Sequence, residues 1–344
     1  MRLAVDAANF AHDHRGMGRI GRAVLREAAK DPSIELTLLA EKRQDVRVLE
    51  AQFPNASFAA PATARKRRRY DAMWYPFNGM RFDAVAPSLV TVHDVFAFTH
   101  PHAERVARWR EQTPIRRTGE SATRIVTGSA WSRAEIGRVL NVPLERIDIV
   151  NPSPDPFWFP LLGDVLPAPL AGRRFALVAG VREPRKNARV ALEACARALR
   201  GENELLVIAG ELDPRDRAFA RALALRCGEV AASDALLRAL YRNACVVLVP
   251  SFAEGFGLVA IEAMACGAAV IASNATALPE ATDGYATLLD PRDVVGWARA
   301  IRMMFDDEAH ASAVRARAAA RFAFSDRSES ARKTLAIVRG IALR

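Results

Sequence analysis

Cysteine is scarce in this chain: four occur among 344 residues, and no two have the C-x-x-C spacing of a zinc or redox site. Most of their neighbours are apolar. We therefore expect buried, reduced thiols and neither a disulfide framework nor a metal centre. The four are Cys195, Cys227, Cys245 and Cys266.

Long apolar runs are also lacking. Runs such as the one around residues 268–272 are far shorter than the roughly 20 residues that a helix needs to cross a bilayer. Near the first residue, Asp6 and Asn9 interrupt the apolar positions before the core of a signal peptide could form. We therefore expect a cytoplasmic chain without a membrane span.

Acidic residues are outnumbered by basic ones, which gives a formal net charge of +10. Such a surface attracts anions, among them phosphate esters, anionic lipid head groups and nucleic acid. The densest basic run, residues 65–69, is typical first of a solvated loop or helix end and second of a patch on a membrane surface. No aromatic residue interleaves with it, so we expect no nucleic-acid partner.

Short apolar runs alternate with helical patterns along most of the chain, which predicts parallel sheets with helices on both faces. The pattern occurs as two series, separated by residues 151–160, whose prolines forbid helix and central strand. The predicted strands of the first series are residues 3–5, 36–39, 73–75, 89–92 and 124–126. Those of the second are residues 175–179, 205–209, 246–249 and 269–272.

Two α/β domains follow from this division and from a length that exceeds the usual size of one core. We predict a Rossmann-like domain over residues 1–160 and a second one over residues 161–320. Residues 321–344 form a last helix that packs back toward the first domain.

The most informative stretch is residues 250–267, PSFAEGFGLVAIEAMACG, which combines a strand end, a glycine turn and a helix. Gly255 and Gly257 allow backbone to approach a ligand closely. The unpaired N–H groups of a helix that begins at Leu258 then form an anion site suited to phosphate. Glu254 and Glu262 frame this site, and both carboxylates can accept hydrogen bonds from sugar or ribose hydroxyls.

A second motif, residues 179–187, reads AGVREPRKN and again follows a strand. Arg185 and Lys186 supply two cations that can neutralise the negative charge of a leaving diphosphate. A surface salt bridge is the alternative role for each of them. Many transferases that act on diphosphates bind a divalent metal ion through an Asp-x-Asp motif. No such motif occurs in this chain, so the two cations are expected to replace the metal ion.

The E-x7-E spacing around Gly-Phe-Gly, together with E-P-R-K-N, resembles the signature of the retaining GT-B glycosyltransferases of family 4 (group 1), which includes sucrose synthases and bacterial polysaccharide mannosyltransferases. The resemblance implies an α/β, GT-B fold of two doubly wound Rossmann-like domains that face each other across a cleft. It implies that Glu254 contacts the donor sugar, that Glu262 holds the ribose, and that Lys186 and Arg185 grip the diphosphate. The other donor-binding residues that it implies are Gly180, Val230, Gly255, Phe256, Gly257, Leu258 and Val259.

Two segments of the first domain also resemble this family. Gly16 and Gly18 lie in a glycine-rich loop after the first strand, which in the family faces the donor phosphates. His93 ends a strand, where open parallel sheets place their binding crevice, and the resemblance puts it near the reacting sugar. A satisfied core histidine is the alternative for His93, and an ordinary strand-to-helix turn is the alternative for the glycines.

The motifs and the resemblance together predict a metal-independent, retaining hexosyltransferase that needs no cofactor besides its nucleotide-diphosphate sugar. The resemblance to bacterial polysaccharide mannosyltransferases favours GDP-mannose as that donor. No carboxylate is evident as a covalent nucleophile, which favours front-face displacement. The expected acceptor is a glycan or polyprenyl-linked hydroxyl in polysaccharide or lipopolysaccharide synthesis. The basic run at residues 65–69 is expected to bring the enzyme to the anionic inner face of the cytoplasmic membrane. The rival hypothesis is a non-catalytic nucleotide-sugar-binding partner subunit.

Overall fold

A computed structural model of the protein describes residues 1–13, 16–67, 70–161, 163, 165–322 and 328–343. The chain forms two compact units. Unit 1 comprises Met1–Asp155 and Asp326–Arg344, and unit 2 comprises Pro156–Ser325. Each unit has its own sheet and its own buried apolar clusters, and each is therefore described by itself.

Unit 1 contains a seven-stranded sheet with the order β3-β2-β1-β4-β5-β6-β7, and every pairing in it is parallel. Its strands are β1 (Arg2–Asp6), β2 (Glu35–Leu39), β3 (Ser57–Ala59), β4 (Ala72–Tyr75), β5 (Ser88–Thr91), β6 (Arg124–Thr127) and β7 (Ile147–Ile149). Its first six helices are α1 (Gly16–Lys30), α2 (Arg43–Gln52), α3 (Pro61–Arg67), α4 (Phe96–Thr99), α5 (Arg105–Ser121) and α6 (Ala130–Leu140).

Unit 2 contains a six-stranded parallel sheet with the order β10-β9-β8-β11-β12-β13. Its strands are β8 (Arg174–Ala179), β9 (Glu204–Ala209), β10 (Cys227–Val230), β11 (Val246–Val249), β12 (Val270–Ser273) and β13 (Thr287–Leu289). Its helices are α7 (Ala188–Ala198), α8 (Pro214–Ala222), α9 (Asp234–Asn243), α10 (Leu258–Ala265), α11 (Leu278–Thr282), α12 (Val294–Asp306) and α13 (Glu308–Phe322). The last helix of the chain, α14 (Glu329–Ala342), belongs to unit 1.

Helix α14 joins unit 1 through an apolar face. Its buried residues Leu335, Val338 and Ile341 belong to the same cluster as Val24 and Leu25 of α1. These positions recur three or four residues apart, which places them on one side of the helix. The C-terminal segment therefore completes the core of the unit in which the chain began.

Both sheets have the doubly wound Rossmann-like topology that the sequence predicts, and this part of the prediction is confirmed. The strand order reverses between β1 and β4 in unit 1 and between β8 and β11 in unit 2. Ligands of open parallel sheets bind outside the carboxyl ends of the strands at such points. The loops after β1, β4, β8 and β11 are therefore the places to look for a site.

Candidate functional site

Three of the predicted residues of unit 2 meet in one ion-pair cluster. The Glu254 carboxylate, 7% exposed, accepts a hydrogen bond from Lys186 Nζ at 2.7 Å and one from Arg185 Nη1 at 3.3 Å. The Ser251 hydroxyl donates to the same carboxylate at 2.7 Å. A buried carboxylate is stable only with such partners, so this cluster fixes the side chain of Glu254 in one position.

The two cations stand on a short turn at the carboxyl end of β8. Pro184–Lys186 forms a 3-10 helix that ends at Asn187, whose φ of 54° lies in the left-handed region. The Asn187 amide donates to the carbonyls of Pro250 and Pro291 at 3.0 and 2.8 Å, and the Phe252 N–H donates to the Arg185 carbonyl at 2.7 Å. The loops after β8 and β11 are therefore tied together at the point where the strand order reverses.

The glycine turn that precedes α10 follows this cluster directly. Gly257 has a φ of 113°, and a Cβ there would lie 2.8 Å from Leu278 Cδ2, so both backbone and space require glycine. Leu258 and Val259 are the first residues of α10, and their N–H groups lie at the end of the helix that attracts anions. Glu262 is buried on the same helix.

The remaining predicted donor residues of unit 2 have different surroundings. Gly255 and Phe256 are partly buried within the glycine turn, and Phe256 packs against the apolar cluster of the unit. Gly180 follows β8 with a φ of 68° and open space around it. Val230 ends β10 at the same edge of the sheet and is partly buried. All of them lie at carboxyl ends of strands or in the loops that follow.

Arg185 and Lys186 contact two carboxylates between them. Besides its bond to Glu254, Arg185 donates to Glu183 at 2.9 Å. An ammonium group can donate three hydrogen bonds, and Lys186 uses one of them on Glu254. Lys186 can therefore hold Glu254 and an incoming phosphate oxygen together, which links the sequence-predicted roles of the two residues.

A groove of about 530 Å³ adjoins the cluster in unit 2. It shares Glu183 and Asn187 with the surroundings of the cluster, and the start of α8 forms another of its walls. A groove of this size is in the range of small-molecule sites. Its other charged lining residues are Arg182, Arg189, Asp213, Arg215 and Asp216.

His93 lies in unit 1, at the carboxyl end of β5. Its Nε2 is 3.3 Å from the Pro76 carbonyl, and because a carbonyl only accepts, this nitrogen carries the proton. The His93 N–H donates to Asn78 Oδ1 at 2.6 Å. Burial lowers the pKa of His93 to about 4, so the ring is neutral near pH 7.

His93 gives the stability of unit 1 a predictable pH dependence. Its folded pKa lies below the ordinary value of 6.5, so the unfolded chain takes up the proton first as the pH falls. The contribution of neutral His93 to the free energy of unfolding is complete above about pH 6.5 and is lost progressively toward pH 4. We expect His93→Gln to flatten the fall in urea midpoint over this range. Val92→Ala, a neighbouring change in the core, should lower the urea midpoint at every pH without changing its pH dependence. If His93→Gln and wild type show the same pH dependence, His93 is not the group that titrates.

The predicted glycine-rich loop of unit 1 is braced from inside. Gly16 begins α1, and Gly18 faces the preceding loop so closely that a Cβ would lie 1.9 Å from the Asp13 carbonyl oxygen. The buried Arg22 donates to the carbonyls of Asp13 and Phe10 at 2.7 and 2.9 Å. Gly18 is therefore required by the approach of this loop to the helix.

Several residues that hold these loops carried no clear signal in the sequence. Asn187 and Asn78 have positive φ values, and only the Asn-Gly pair at Asn78 is a recognisable turn signal. Thr276 Oγ1 accepts from the Glu254 N–H at 2.9 Å, and Ser251 has been described above. Asp6 accepts two hydrogen bonds from Arg81 at the carboxyl edge of β1. Such pairs are far apart in sequence, so only the fold brings them together.

Three further expectations concern the basic run, a metal site and a membrane span. The basic run at residues 65–69 falls on side chains outside the described part of the chain. Among the described residues, no group of three or more His, Cys, Asp and Glu side chains is arranged to hold a metal ion. Within the same residues, no helix combines the length and apolar character needed to span a membrane.

Comparison with known proteins agrees with the sequence motifs. The family described as Glycosyl transferases group 1 matches residues 172–307, which include the cluster and the glycine turn. O-antigen chain mannosyltransferase B of Escherichia coli is 33% identical over 241 residues, or 64% of this chain and 62% of that protein. The match therefore spans less than two thirds of that relative's length.

Solved structures resemble the whole chain. Anabaena Alr3699/HepE, crystallised with UDP and glucose, has a TM-score of 0.73 at 16% identity and covers 98% of this chain and 99% of its own. WaaG, a glycosyltransferase involved in lipopolysaccharide biosynthesis, has a TM-score of 0.72 at 15% identity, with 99% and 100% coverage. At such identities the likeness establishes the fold alone, and that fold is GT-B.

Proposed function

We propose that the protein transfers a hexose from a nucleotide-diphosphate sugar to a hydroxyl of a glycan or lipid-linked acceptor, on the premise that residues 172–307 match the family described as Glycosyl transferases group 1. The observation that carries the proposal is the cluster of Lys186, Arg185 and Glu254 beside the start of α10. It combines cations and helix N–H groups for a diphosphate with a fixed carboxylate for sugar hydroxyls.

We place the donor diphosphate between Lys186 and the first N–H groups of α10. Helix N-termini favour phosphate through their unpaired N–H groups and their dipole. Glu254 directs its carboxylate toward the sugar hydroxyls, and Glu262 accepts from the ribose. These roles follow the family resemblance and the loop positions described above.

The proposed transfer retains the anomeric configuration by front-face displacement. The bond between the anomeric carbon and the diphosphate oxygen breaks while the acceptor oxygen bonds to the same face of the sugar. The acceptor proton passes to the departing phosphate. Lys186 and Arg185 stabilise the negative charge that develops on that phosphate, so the reaction needs no divalent metal ion.

Mannose is the proposed sugar and GDP-mannose the proposed donor. The support is the Escherichia coli relative, whose name describes an O-antigen chain mannosyltransferase. An acceptor in polysaccharide or lipopolysaccharide synthesis follows from the same relative. HepE was crystallised with UDP-glucose, so a uridine donor is the comparison that a test must include.

A transfer assay with purified protein tests this function. GDP-mannose, UDP-glucose and UDP-galactose are supplied with a polyprenyl-diphosphate-linked glycan acceptor, with and without EDTA. We expect one donor to be consumed, at a rate that EDTA leaves unchanged, and the product to keep the donor's anomeric configuration by NMR. Nucleotide binding without turnover of any donor would favour the non-catalytic subunit, and an inverted product would exclude the front-face mechanism.

We also propose that unit 1 contacts an anionic membrane surface. Besides the basic run, the support is helix α5, where Trp109 is 66% and Val106 is 53% exposed. Arg105 and Arg110 are exposed beside them, one turn away on the same side. An exposed tryptophan among arginines suits the boundary between lipid head groups and acyl chains.

Vesicle sedimentation tests this contact. We expect wild type to sediment with phosphatidylglycerol vesicles and not with phosphatidylcholine vesicles, and Trp109→Ser to lower the bound fraction about tenfold. Val295→Ser, which removes an apolar residue of unit 2 that is 55% exposed, is the control and should bind as wild type does. Undiminished binding of Trp109→Ser would move the contact to the run at residues 65–69, whose neutralisation is the next variant.

A further inference from the structure

Thr276 adopts a backbone conformation that its side chain disfavours. Its φ is 51°, in the left-handed region that glycine and asparagine enter readily and β-branched residues rarely do. It lies in the loop between β12 and α11, at the carboxyl edge of the sheet of unit 2. Strained residues of this kind persist where their surroundings hold them, and they concentrate at functional sites.

The surroundings of Thr276 are the glycine turn of the donor site. Thr276 Oγ1 accepts a hydrogen bond from the Glu254 N–H at 2.9 Å. Two residues further along, Leu278 is fully buried and fills the space beside Gly257 that a side chain would need. The segment that follows β12 therefore contacts the turn twice, through the hydrogen bond of Thr276 and through the packing of Leu278 at the start of α11.

The hydrogen bond that the Glu254 N–H donates to Thr276 holds Glu254 at a second point, its backbone. Lys186 and Ser251 hold the carboxylate of Glu254, and these contacts do not fix its backbone. Thr276 does fix that backbone, because its hydroxyl lies close to its own main chain and its χ1 has few rotamers. Serine offers the same oxygen with a freer rotamer, and valine offers the same shape without the oxygen.

We propose that Thr276 is a positioning residue for Glu254, whose strained backbone conformation is kept because it brings a hydroxyl to the Glu254 N–H. Thr276 acts on transfer through Glu254 and does not touch the donor itself. The inference rests on the proposed function where turnover is concerned. The hydrogen bond itself has a readout that needs no activity.

Thr276→Val and Thr276→Ser separate the hydroxyl from the shape of the side chain. We expect Thr276→Val to lower kcat about 10- to 100-fold, the usual effect of misplacing a catalytic group, with little change in the KM for the donor. Thr276→Ser should stay within about threefold of wild type, since it keeps the hydrogen bond. In a Glu254→Ala background, Thr276→Val should cost almost nothing further, because coupled residues are not additive.

Hydrogen–deuterium exchange of the Glu254 amide is the measurement that does not depend on turnover. We expect faster exchange in Thr276→Val and wild-type exchange in Thr276→Ser. Equal exchange or equal kcat in the two variants would overturn the proposal, and so would a full loss of activity from Thr276→Val in the Glu254→Ala background. If wild type transfers no sugar, the proposed function fails, and the exchange result alone decides whether Thr276 holds Glu254.

Discussion

Lys186→Ala should lower the rate of sugar transfer about 100- to 1,000-fold, the range seen when one group that stabilises developing charge is removed. Lys186 Nζ is 2.7 Å from the Glu254 carboxylate and stands where the leaving diphosphate is proposed to bind. The substitution removes a cation from the leaving group and a hydrogen-bond donor from Glu254 at the same time. The rate should therefore fall further than it would from the loss of either contact alone.

The control for Lys186→Ala is Lys333→Ala. Lys333 is an exposed lysine of α14 that pairs with Glu329 at the surface, so its loss changes the net charge equally and leaves the donor site untouched. Lys186→Arg keeps the charge but changes the geometry and should recover only part of the rate. If Lys186→Ala and Lys333→Ala have the same kcat/KM, Lys186 has no part in catalysis.

Gly18→Ala should destabilise unit 1 by about 1–3 kcal/mol, as overpacking of a closed site does. The new Cβ would lie 1.9 Å from the Asp13 carbonyl oxygen, which is backbone and cannot turn aside. The loop must move, and its hydrogen bonds to Arg22 are then lost or weakened. Thermal or urea unfolding measures the loss of stability. The kcat/KM for the acceptor measures any effect of the moved loop on activity.

Gly340→Ala provides the matched comparison for Gly18→Ala. It makes the same substitution inside a helix, at an exposed position of α14 where nothing lies within 4 Å of the new Cβ. Alanine should stabilise this helix by about 0.5–1 kcal/mol. If Gly18→Ala is as stable and as active as Gly340→Ala, the close approach of the Asp13 carbonyl to Gly18 of α1 contributes neither to stability nor to activity.

The central strands of both sheets were predictable because each is a short apolar run buried on both faces. β1, β8 and β11 are examples, and each prediction is confirmed to within a residue or two. The edge strands β3, β7, β10 and β13 escaped prediction, since each has only three or four residues, most of them partly or fully exposed. Their conformation depends on pairing with a neighbour, which local sequence does not encode.

The candidate site divides in the same way. The glycine turn at Gly257 and the cationic turn at Lys186 were predictable, because the residues of each motif are close together in sequence. The bond that joins Lys186 to Glu254 spans 68 positions and could not be foreseen. Thr276 gave no signal either, and Asn187 lay in the E-P-R-K-N motif without an assigned role, because the importance of both lies in a backbone conformation and in contacts that form only after folding.

Nucleotide binding at this cluster is the most direct test of the account. Melting temperatures of wild type, Lys186→Ala, Glu262→Ala and Lys333→Ala are compared with UDP, GDP, ADP and CMP in metal-free buffer at millimolar concentration. We predict that one nucleotide stabilises wild type and Lys333→Ala, and that the stabilisation is weakened in Lys186→Ala and Glu262→Ala. If no nucleotide stabilises wild type, or if all four proteins respond alike, the donor site does not lie at this cluster.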